Sequence, residues 1–238
     1  MSPLKSRNNV MAKLASTTWG CHNNVLRTTA LALVYNVAKY CAPVWAICAH
    51  CAKIDVQLNH TMMRIISGKL RSTPTIWLPT LSNKAPPDLR ILSHTTKILH
   101  KLKTKPVLPL QIDILEHPPL RFKSRAPIWN AETQSESVDY LWTRRWEQSE
   151  TRNRDLIKEP FKKVPGWDST KAIWTTLNRI RSEQGICNYL LHKWGMVDSP
   201  LCECGETQTI KHMVESCPIA MFKEGLTKLH EGGPTAIK

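Results

Sequence analysis

The stretch NNVLRTTALALVYNVAKYCAPVW, residues 23–45, carries the clearest folding signal in this chain of 238 residues. Its apolar side chains recur at steps of three and four residues, as Leu26, Ala30 and Val34 illustrate. Such spacing places the apolar side chains on one face of an α-helix, where they can be buried together. We therefore predict a buried amphipathic helix over residues 23–47.

The same periodicity predicts helices on both sides of this stretch. The predicted helices cover residues 5–20, 53–67, 88–103, 138–149, 169–182 and 186–194, with a short one at 210–218. Four prolines in residues 73–90 predict a loop there instead. No segment alternates apolar and polar residues with a period of two, so the predicted fold class is mainly α.

A change in composition divides the chain. Five prolines fall within residues 105–127, a density that suits neither a helix nor a central strand. We predict a basic helical domain at residues 1–105, a Pro-rich linker at 106–136 and a helical C-terminal domain at 137–238.

The positive charge of the chain is concentrated in its first half. The formal net charge is +14; residues 1–127 hold 18 Lys and Arg and four acidic residues, whereas residues 128–238 hold 15 of each. An excess of this kind favours a polyanionic partner, and nucleic acid is the commonest one. The alternative is a basic surface that is simply solvated. The predicted phosphate-contacting residues are Lys5, Arg7, Lys13, Arg27, Arg64, Lys69, Arg71, Lys101, Lys103 and Lys105.

Hydrophobic segments predict a protein that neither crosses a membrane nor is exported. Residues 1–15 lack the apolar core of a signal peptide, and the apolar stretch at residues 30–52 is interrupted by Asn36, Lys39 and Pro43. We expect an intracellular protein, in the cytoplasm or the nucleus, with reduced thiols. The nine tryptophans are expected to fill a core rather than to stack on bases.

The segment SPLCECGETQTIKHMVESCP, residues 199–218, has the composition of a small metal site. Cys202, Cys204, His212 and Cys217 follow the pattern Cys-x-Cys-x7-His-x4-Cys. Three thiolates and one imidazole suit tetrahedral Zn²⁺, so we predict a zinc knuckle here. An alternative ligand set replaces one member with Cys187 or His192, as these donors lie just upstream.

A second cysteine cluster is interpreted differently. CAHC, residues 48–51, follows Cys41 in an apolar stretch, where cysteine behaves as a small hydrophobic residue. We expect these cysteines to pack in the core.

Several catalytic signatures do not occur in the sequence. There is no phosphate-binding Gly-rich loop, no GxSxG and no HExxH. Two-metal phosphoryl transfer needs clustered carboxylates, and the four acidic residues of the basic half are widely separated. No catalytic residue is therefore predicted.

Three blocks, residues 5–45, 54–90 and 174–218, resemble the C-terminal part of the reverse transcriptases of jockey-like non-LTR retrotransposons. In that family such residues follow the polymerase palm and form a helical thumb, a connecting region and a Cys/His knuckle. The resemblance implies a thumb-like first domain and carries the knuckle ligands onto Cys202, Cys204, His212 and Cys217. It also implies RNA-directed DNA polymerase ancestry.

The family's paired catalytic aspartates have no counterpart, because the sequence contains no Asp-Asp pair. We therefore expect a truncated product that binds an RNA template or an RNA–DNA hybrid with weak sequence preference. The intact polymerase of the same element is an expected partner. Two alternatives remain: an active polymerase, alone or by complementation, and a decayed or repurposed interaction protein.

Overall fold

The computed structural model describes residues 2–16, 20–40, 42–46, 51–105 and 136–232. Across these residues the chain is helical, and its one β-type pairing is an isolated bridge between Leu201 and Thr207. The predicted mainly-α class is confirmed. The predicted Pro-rich linker, apart from its last residue, lies outside the described residues, and the domain boundaries remain a prediction.

The described residues from 2 to 105, called the first segment below, contain eight α-helices and two π-helical stretches. The helices are α1 (Ser2–Leu14), α2 (Asn23–Ala30), α3 (Asn36–Lys39), α4 (Ala42–Trp45), α5 (Cys51–Asp55), α6 (Arg64–Ser67), α7 (Trp77–Ser82) and α8 (Pro87–Thr104). The π-helical stretches, Leu31–Tyr35 and Val56–Met63, join α2 to α3 and α5 to α6.

The predicted helix over residues 23–47 is interrupted after α3. Tyr40 leaves the helical conformation with ψ 128°, and a new helix starts at Ala42. Pro43 explains the interruption, because it has no N–H to donate within a continuing helix but fits the first turn of a new one.

The predicted loop at residues 73–90 was wrong in its middle, where α7 forms. Pro79 lies in the first turn of α7, where a backbone N–H has no partner within the helix in any case. Trp77, Leu78 and Leu81 are fully buried, so their packing outweighs the low helix propensity of the segment.

The described residues from 136 to 232, called the second segment, contain four more α-helices, a 3-10 helix at Arg154–Leu156 and a π-helical turn at His212–Ser216. The four α-helices are α9 (Val138–Glu147), α10 (Lys171–Arg181), α11 (Asn188–Lys193) and α12 (Gly225–Gly232). The last of them was not predicted. This helix begins at Gly225 and buries Leu229 and His230.

One hydrophobic core draws on both segments. Its buried side chains are Leu4, Met11, Leu26, Ala30, Val34, Tyr35, Ala38, Leu58, Met62, Met63, Ile66, Trp77, Leu78, Leu81, Trp146, Ile157, Val164, Trp167 and Trp174. The two segments are therefore packed together, and burial of this apolar surface is the main favourable term holding them.

Two pairs of tryptophans pack edge to face in the core, one across the two segments and one within the second segment. Trp77 meets Trp146 edge to face with ring centroids 4.9 Å apart, and Trp167 meets Trp174 in the same way at 5.2 Å. The indole N–H of Trp146 donates to the Ile157 carbonyl at 2.8 Å. The core role predicted for tryptophan is confirmed for these four residues, which are nearly inaccessible to solvent.

Two lysines cap helix ends across the interface between the segments. Lys171 of α10 donates from Nζ to the carbonyls of Ile65 and Ile66 in α6, at 3.0 and 2.7 Å. Lys69, just after α6, donates from Nζ to the carbonyl of Asn178 in the last turns of α10, at 2.7 Å. A helix C-terminus carries unpaired carbonyls and partial negative charge, so each ammonium finds a favourable site there.

The backbones of α6 and α10 also lie close together. The Asn178 side-chain amide donates to the Ser67 carbonyl at 3.0 Å. Gly68 ends α6 in the left-handed region with φ 68°, and a Cβ there would lie 2.3 Å from Thr175 Oγ1 of α10. Glycine is therefore required at this point for both conformation and space.

A buried polar contact fixes α12 against α10. Arg181 donates from Nε to Nδ1 of His230 at 2.9 Å, and its guanidinium also donates to the Pro165 carbonyl at 2.6 Å. Burial and the adjacent Arg181 charge lower the pKa of His230 to about 4. A neutral imidazole is the form that accepts this hydrogen bond.

No helix within the described ranges is both long and apolar enough to cross a lipid bilayer.

Gly68→Ala should destabilise the fold by about 2–4 kcal/mol, from left-handed strain plus overlap with Thr175. Gly225→Ala is the matched control, because Gly225 also has a positive φ of 77° but nothing lies within 4 Å of its Cβ position. Chemical denaturation of both variants should show the larger loss for Gly68→Ala. Equal losses would show that the α6–α10 approach is not tight.

Acidification should weaken the fold through His230. Its folded-state pKa of about 4 lies below the ordinary value of 6.5, so the unfolded chain takes up the proton first as the pH falls. The stability contribution is complete above pH 6.5 and is lost as the pH falls toward 4. His230→Gln keeps an acceptor that does not titrate. Between pH 7 and 4.5, its free energy of unfolding should fall by about 2 kcal/mol less than that of the wild type. Parallel pH profiles of the two proteins would contradict this assignment.

Candidate metal centre

The structure brings the four predicted ligands together. The ligand atoms of Cys202, Cys204, His212 and Cys217 all lie within 4.8 Å of one another. The sulfur atoms of Cys202 and Cys217 are 3.7 Å apart, and Sγ of Cys204 lies 3.1 Å from Nε2 of His212. These four side chains could hold a metal ion.

A tight turn positions the first two ligands. The backbone N–H of Cys202 donates to the Glu206 carbonyl at 2.7 Å, and the N–H of Gly205 donates to the Cys202 carbonyl at 2.9 Å. Gly205 has φ 92°, a conformation that glycine adopts without strain. The chain reverses within these few residues, which directs both thiols of the Cys-x-Cys pair to one side.

A π-helical turn positions the other two ligands. It spans His212–Ser216 and is closed by a hydrogen bond from the Cys217 N–H to the His212 carbonyl, at 2.8 Å. The spacing of five residues thereby becomes one turn, so His212 and Cys217 face the same point. The hydroxyl of Thr209 accepts from the His212 N–H at 3.0 Å and caps the start of the turn.

Two contacts missed by the sequence analysis orient the His212 ring. Nδ1 lies 3.1 Å from a Glu206 carboxylate oxygen and 3.2 Å from the Ser216 hydroxyl. We assign the proton to Nδ1, which then donates to the carboxylate and leaves the Nε2 lone pair facing the thiols. A carboxylate that holds the non-ligating nitrogen is the usual outer partner of a metal-bound histidine. The signal available in the sequence was the acidic residue just after the Cys-x-Cys-Gly turn.

The electrostatics favour a thiolate at the first ligand. The backbone N–H of Cys204 lowers the pKa of the Cys202 thiol from 9.0 to about 6. The pKa of Cys204 is raised: the backbone N–H of Glu206 lowers it, but burial and the neighbouring Cys202 and Cys217 sulfurs outweigh that effect. One sulfur thus ionises before the other, and the second needs a cation beside it to ionise near neutral pH.

The spacing of one sulfur pair fits a tetrahedral ion. With zinc–sulfur bonds of about 2.3 Å, two sulfurs on one tetrahedron are about 3.8 Å apart, close to the separation of Cys202 and Cys217. Cys217 is fully buried and His212 is nearly so, whereas Cys202 and Cys204 are half-buried. Four protein ligands leave no coordination position for a substrate, which is typical of structural sites.

The alternative ligands do not join the group. Cys187 is buried immediately before α11, and His192 is exposed near the end of that helix. Neither belongs to the ligand cluster. Of the second cysteine cluster, Cys41, Cys48 and His50 lie outside the described residues, while the Cys51 thiol contacts the carbonyl of Trp45 at 3.0 Å.

Side chains of the second segment hold the knuckle in place. The Gln208 side chain accepts from the Asn188 N–H at 2.8 Å, and the Asn188 amide donates to the Leu201 carbonyl at 2.8 Å. Ile210, just before the π-helical turn, is buried so close to Gly185 that a Cβ on Gly185 would lie 2.6 Å from Ile210 Cδ1. The cluster of candidate ligands is thus anchored to α11 and to the end of α10.

The ten predicted phosphate-contacting residues fall into three classes of exposure. The fully exposed ones are Lys5, Lys13, Arg71, Lys101, Lys103 and Lys105. Arg7, Arg27 and Arg64 are half-buried, and each donates to a backbone carbonyl. Lys69 is buried in the α6–α10 contact described above, so its ammonium serves the fold instead of the surface.

Part of this set lines a cleft between the end of α1 and α6. The cleft has a volume of about 640 Å³, and its lining includes Arg64, Lys69 and Arg71 together with Ala12 and Ala15. No acidic residue contributes to the lining that the structure describes. The cleft is therefore a basic cavity with small side chains on its opposite wall.

Comparison of the chain with protein-family models, with curated proteins and with solved structures finds no match.

The purified protein should hold one equivalent of a divalent metal ion, and Cys217→Ser should abolish binding because it removes the most buried ligand. Cys21→Ser is the control for loss of a thiol outside the cluster, and Cys187→Ser tests the alternative ligand set. Elemental analysis after dialysis measures the stoichiometry. Metal retained by Cys217→Ser, or lost from Cys187→Ser, would contradict the ligand assignment.

Proposed function

We propose that this chain is a nucleic-acid-binding helical protein stabilised by a structural zinc ion, related to the thumb and knuckle regions of jockey-like non-LTR retrotransposon reverse transcriptases. The relationship is supported by the three sequence blocks at residues 5–45, 54–90 and 174–218. The binding role is supported by the distribution of charge. The basic cleft between α1 and α6 is the observation that carries it.

The charge of the first segment is poorly neutralised. Residues 2–105 contain two acidic residues, Asp55 and Asp88. Asp88 is held by both nitrogens of the Arg145 guanidinium, at 2.7 and 3.0 Å. Burial and the nearby Asp88 charge raise the pKa of Asp55. A phosphate backbone would supply the missing negative charge.

The cleft suits a phosphate backbone better than a small apolar ligand. Arg71 lines the cleft and is exposed, whereas Arg64 donates to the Thr73 carbonyl at 3.1 Å. The planar guanidinium of arginine can donate two parallel hydrogen bonds to phosphate oxygens. Contacts to the backbone carry no base information, so the proposed binding has weak sequence preference.

Zinc is the proposed metal because three thiolates and one imidazole in tetrahedral reach match its preference. Cys202, Cys204, His212 and Cys217 would hold it, and Glu206 would fix the His212 ring. When bound, the ion supplies folding energy to residues 199–218. Within this range the buried apolar residues are Ile210 and Cys217. The proposed role is structural, and no bond-making step is assigned to the chain.

Binding of a structured RNA and of an RNA–DNA hybrid should weaken steeply as salt rises. Lys13→Gln/Arg71→Gln removes two exposed charges beside the cleft, and should lower affinity at low salt about tenfold and reduce the salt slope by about two. Arg144→Gln/Lys158→Gln removes two exposed charges from the second segment and is the matched control. Fluorescence anisotropy across a salt series measures both.

Undetectable binding at the lowest salt would overturn the proposal, and so would equal losses in the two double variants. A primer-extension assay with the same nucleic acids provides a separate check. A templated product would show that the chain makes bonds and is a polymerase.

A further inference from the structure

A second group of cations lies away from the cleft, between two facing helical stripes. Arg27, Tyr35 and Lys39 lie eight and four residues apart along the run from α2 to α3. Residues at multiples of about four share one side of a helix. Only Arg27 of this stripe was among the predicted phosphate-contacting residues.

The facing stripe is on α8. Arg90, His94 and Lys97 are spaced four and three residues apart, so they also share one side of their helix. The two stripes touch, because the Arg90 guanidinium lies over the Tyr35 ring at 4.8 Å from its centroid. The contact places a cation of α8 against a buried aromatic side chain of the facing run.

The turn between α7 and α8 adds a further cation. Asn83 ends α7 in the left-handed region with φ 48°, and its carbonyl accepts from Nε of Arg27 at 3.1 Å. The peptide bond after that carbonyl leads directly to Lys84. Lys84 is 9% exposed, so most of this residue is buried next to Asn83.

Three of these cations lack a polar partner. Among the residues that the structure describes, the side chains of Lys39, Lys84 and Arg90 make no hydrogen bond or salt bridge. The Tyr35 hydroxyl, on a side chain that is 2% exposed, is likewise without a hydrogen-bond partner in the described structure. A buried hydroxyl is normally satisfied, so Tyr35 indicates a missing acceptor, whereas the three cations can still donate to solvent.

The cations of this group repel one another. Burial, followed by the charges of Arg90, Arg27 and Lys39, lowers the pKa of Lys84 to about 7. Burial and the charges of Arg90 and Lys97 lower the pKa of Lys39 in the same way. Like charges gathered without a counter-ion cost free energy, which an anion placed among them would recover.

We propose that Tyr35, Lys39, Lys84 and Arg90, with Arg27 alongside, form a phosphate-binding pocket. Phosphate is the chemistry that fits, because a tetrahedral oxyanion can accept from two ammonium groups, a guanidinium and a phenol at once. A carboxylate presents two acceptor oxygens in one plane, fewer than a phosphate presents. The phosphate can come from a nucleic-acid backbone, which would deepen the proposed function, or from a free phosphate compound.

Inorganic phosphate, compared with chloride at equal ionic strength, is the probe for the pocket itself. Phosphate should raise the melting temperature of the metal-loaded protein and bind in titration calorimetry. Tyr35→Phe should weaken phosphate binding about threefold to tenfold while leaving stability in chloride unchanged or higher, because it removes only an unsatisfied hydroxyl. Tyr140→Phe, at an exposed tyrosine of α9, is the matched control.

Lys84→Met removes the charge but keeps an apolar stem, and should weaken phosphate binding at least tenfold. If Lys84→Met does not fold, Lys97→Gln at the exposed rim should still weaken binding, by a smaller factor. Equal stabilisation by phosphate and chloride would overturn the pocket. Phosphate affinity unchanged in Tyr35→Phe and in the lysine variants would overturn it too.

Structured RNA distinguishes the two sources of phosphate. If the backbone occupies the pocket, Tyr35→Phe should weaken RNA binding and phosphate binding together. If a free phosphate compound is the ligand, phosphate binding should fall while RNA binding stays unchanged. The phosphate measurement requires no nucleic acid, so failure of the pocket and failure of the proposed nucleic-acid binding are separate results.

Discussion

The mutual capping of α6 and α10 by Lys69 and Lys171 is the constraint on which the rest of the structure depends. Both ammonium groups are buried, and the structure gives each of them oxygen partners at a helix end instead of a carboxylate. Burying such charges costs free energy unless they are well hydrogen-bonded. Burial accordingly lowers the pKa of Lys171 to about 8 and that of Lys69 well below its ordinary value. The segments must meet in one register for both contacts to form.

That register places everything that follows α10. Trp174 enters the shared core from α10, and Arg181 at its end holds α12 through His230. The metal cluster is anchored through Ile210 beside Gly185, a few residues beyond the same helix. Residues 199–218 are mostly polar and have little core of their own. Their contacts beyond the end of α10 fix their position, and the proposed ion supplies further folding energy.

The positive charge of the first segment has several distinct roles. Some cations satisfy helix ends inside the protein, as Lys69 does, and others hold loops through carbonyls, as Arg64 does. A third group lies exposed, and a fourth, made up of Lys39, Lys84 and Arg90, makes no hydrogen bond or salt bridge within the described residues. The net charge is a property of the composition, whereas the number of cations available to a polyanion depends on which are already committed to backbone oxygens.

The sequence by itself determined the helical class, most helix positions and the four clustered ligands, because apolar periodicity and donor chemistry are local properties. It did not reveal α7, whose prolines hid a segment stabilised by burial of Trp77. Nor did it reveal the burial of Lys69, the Glu206 contact to His212 or the cations around Tyr35. Each of these depends on which side chains distant segments bring together, and only the tertiary structure decided that.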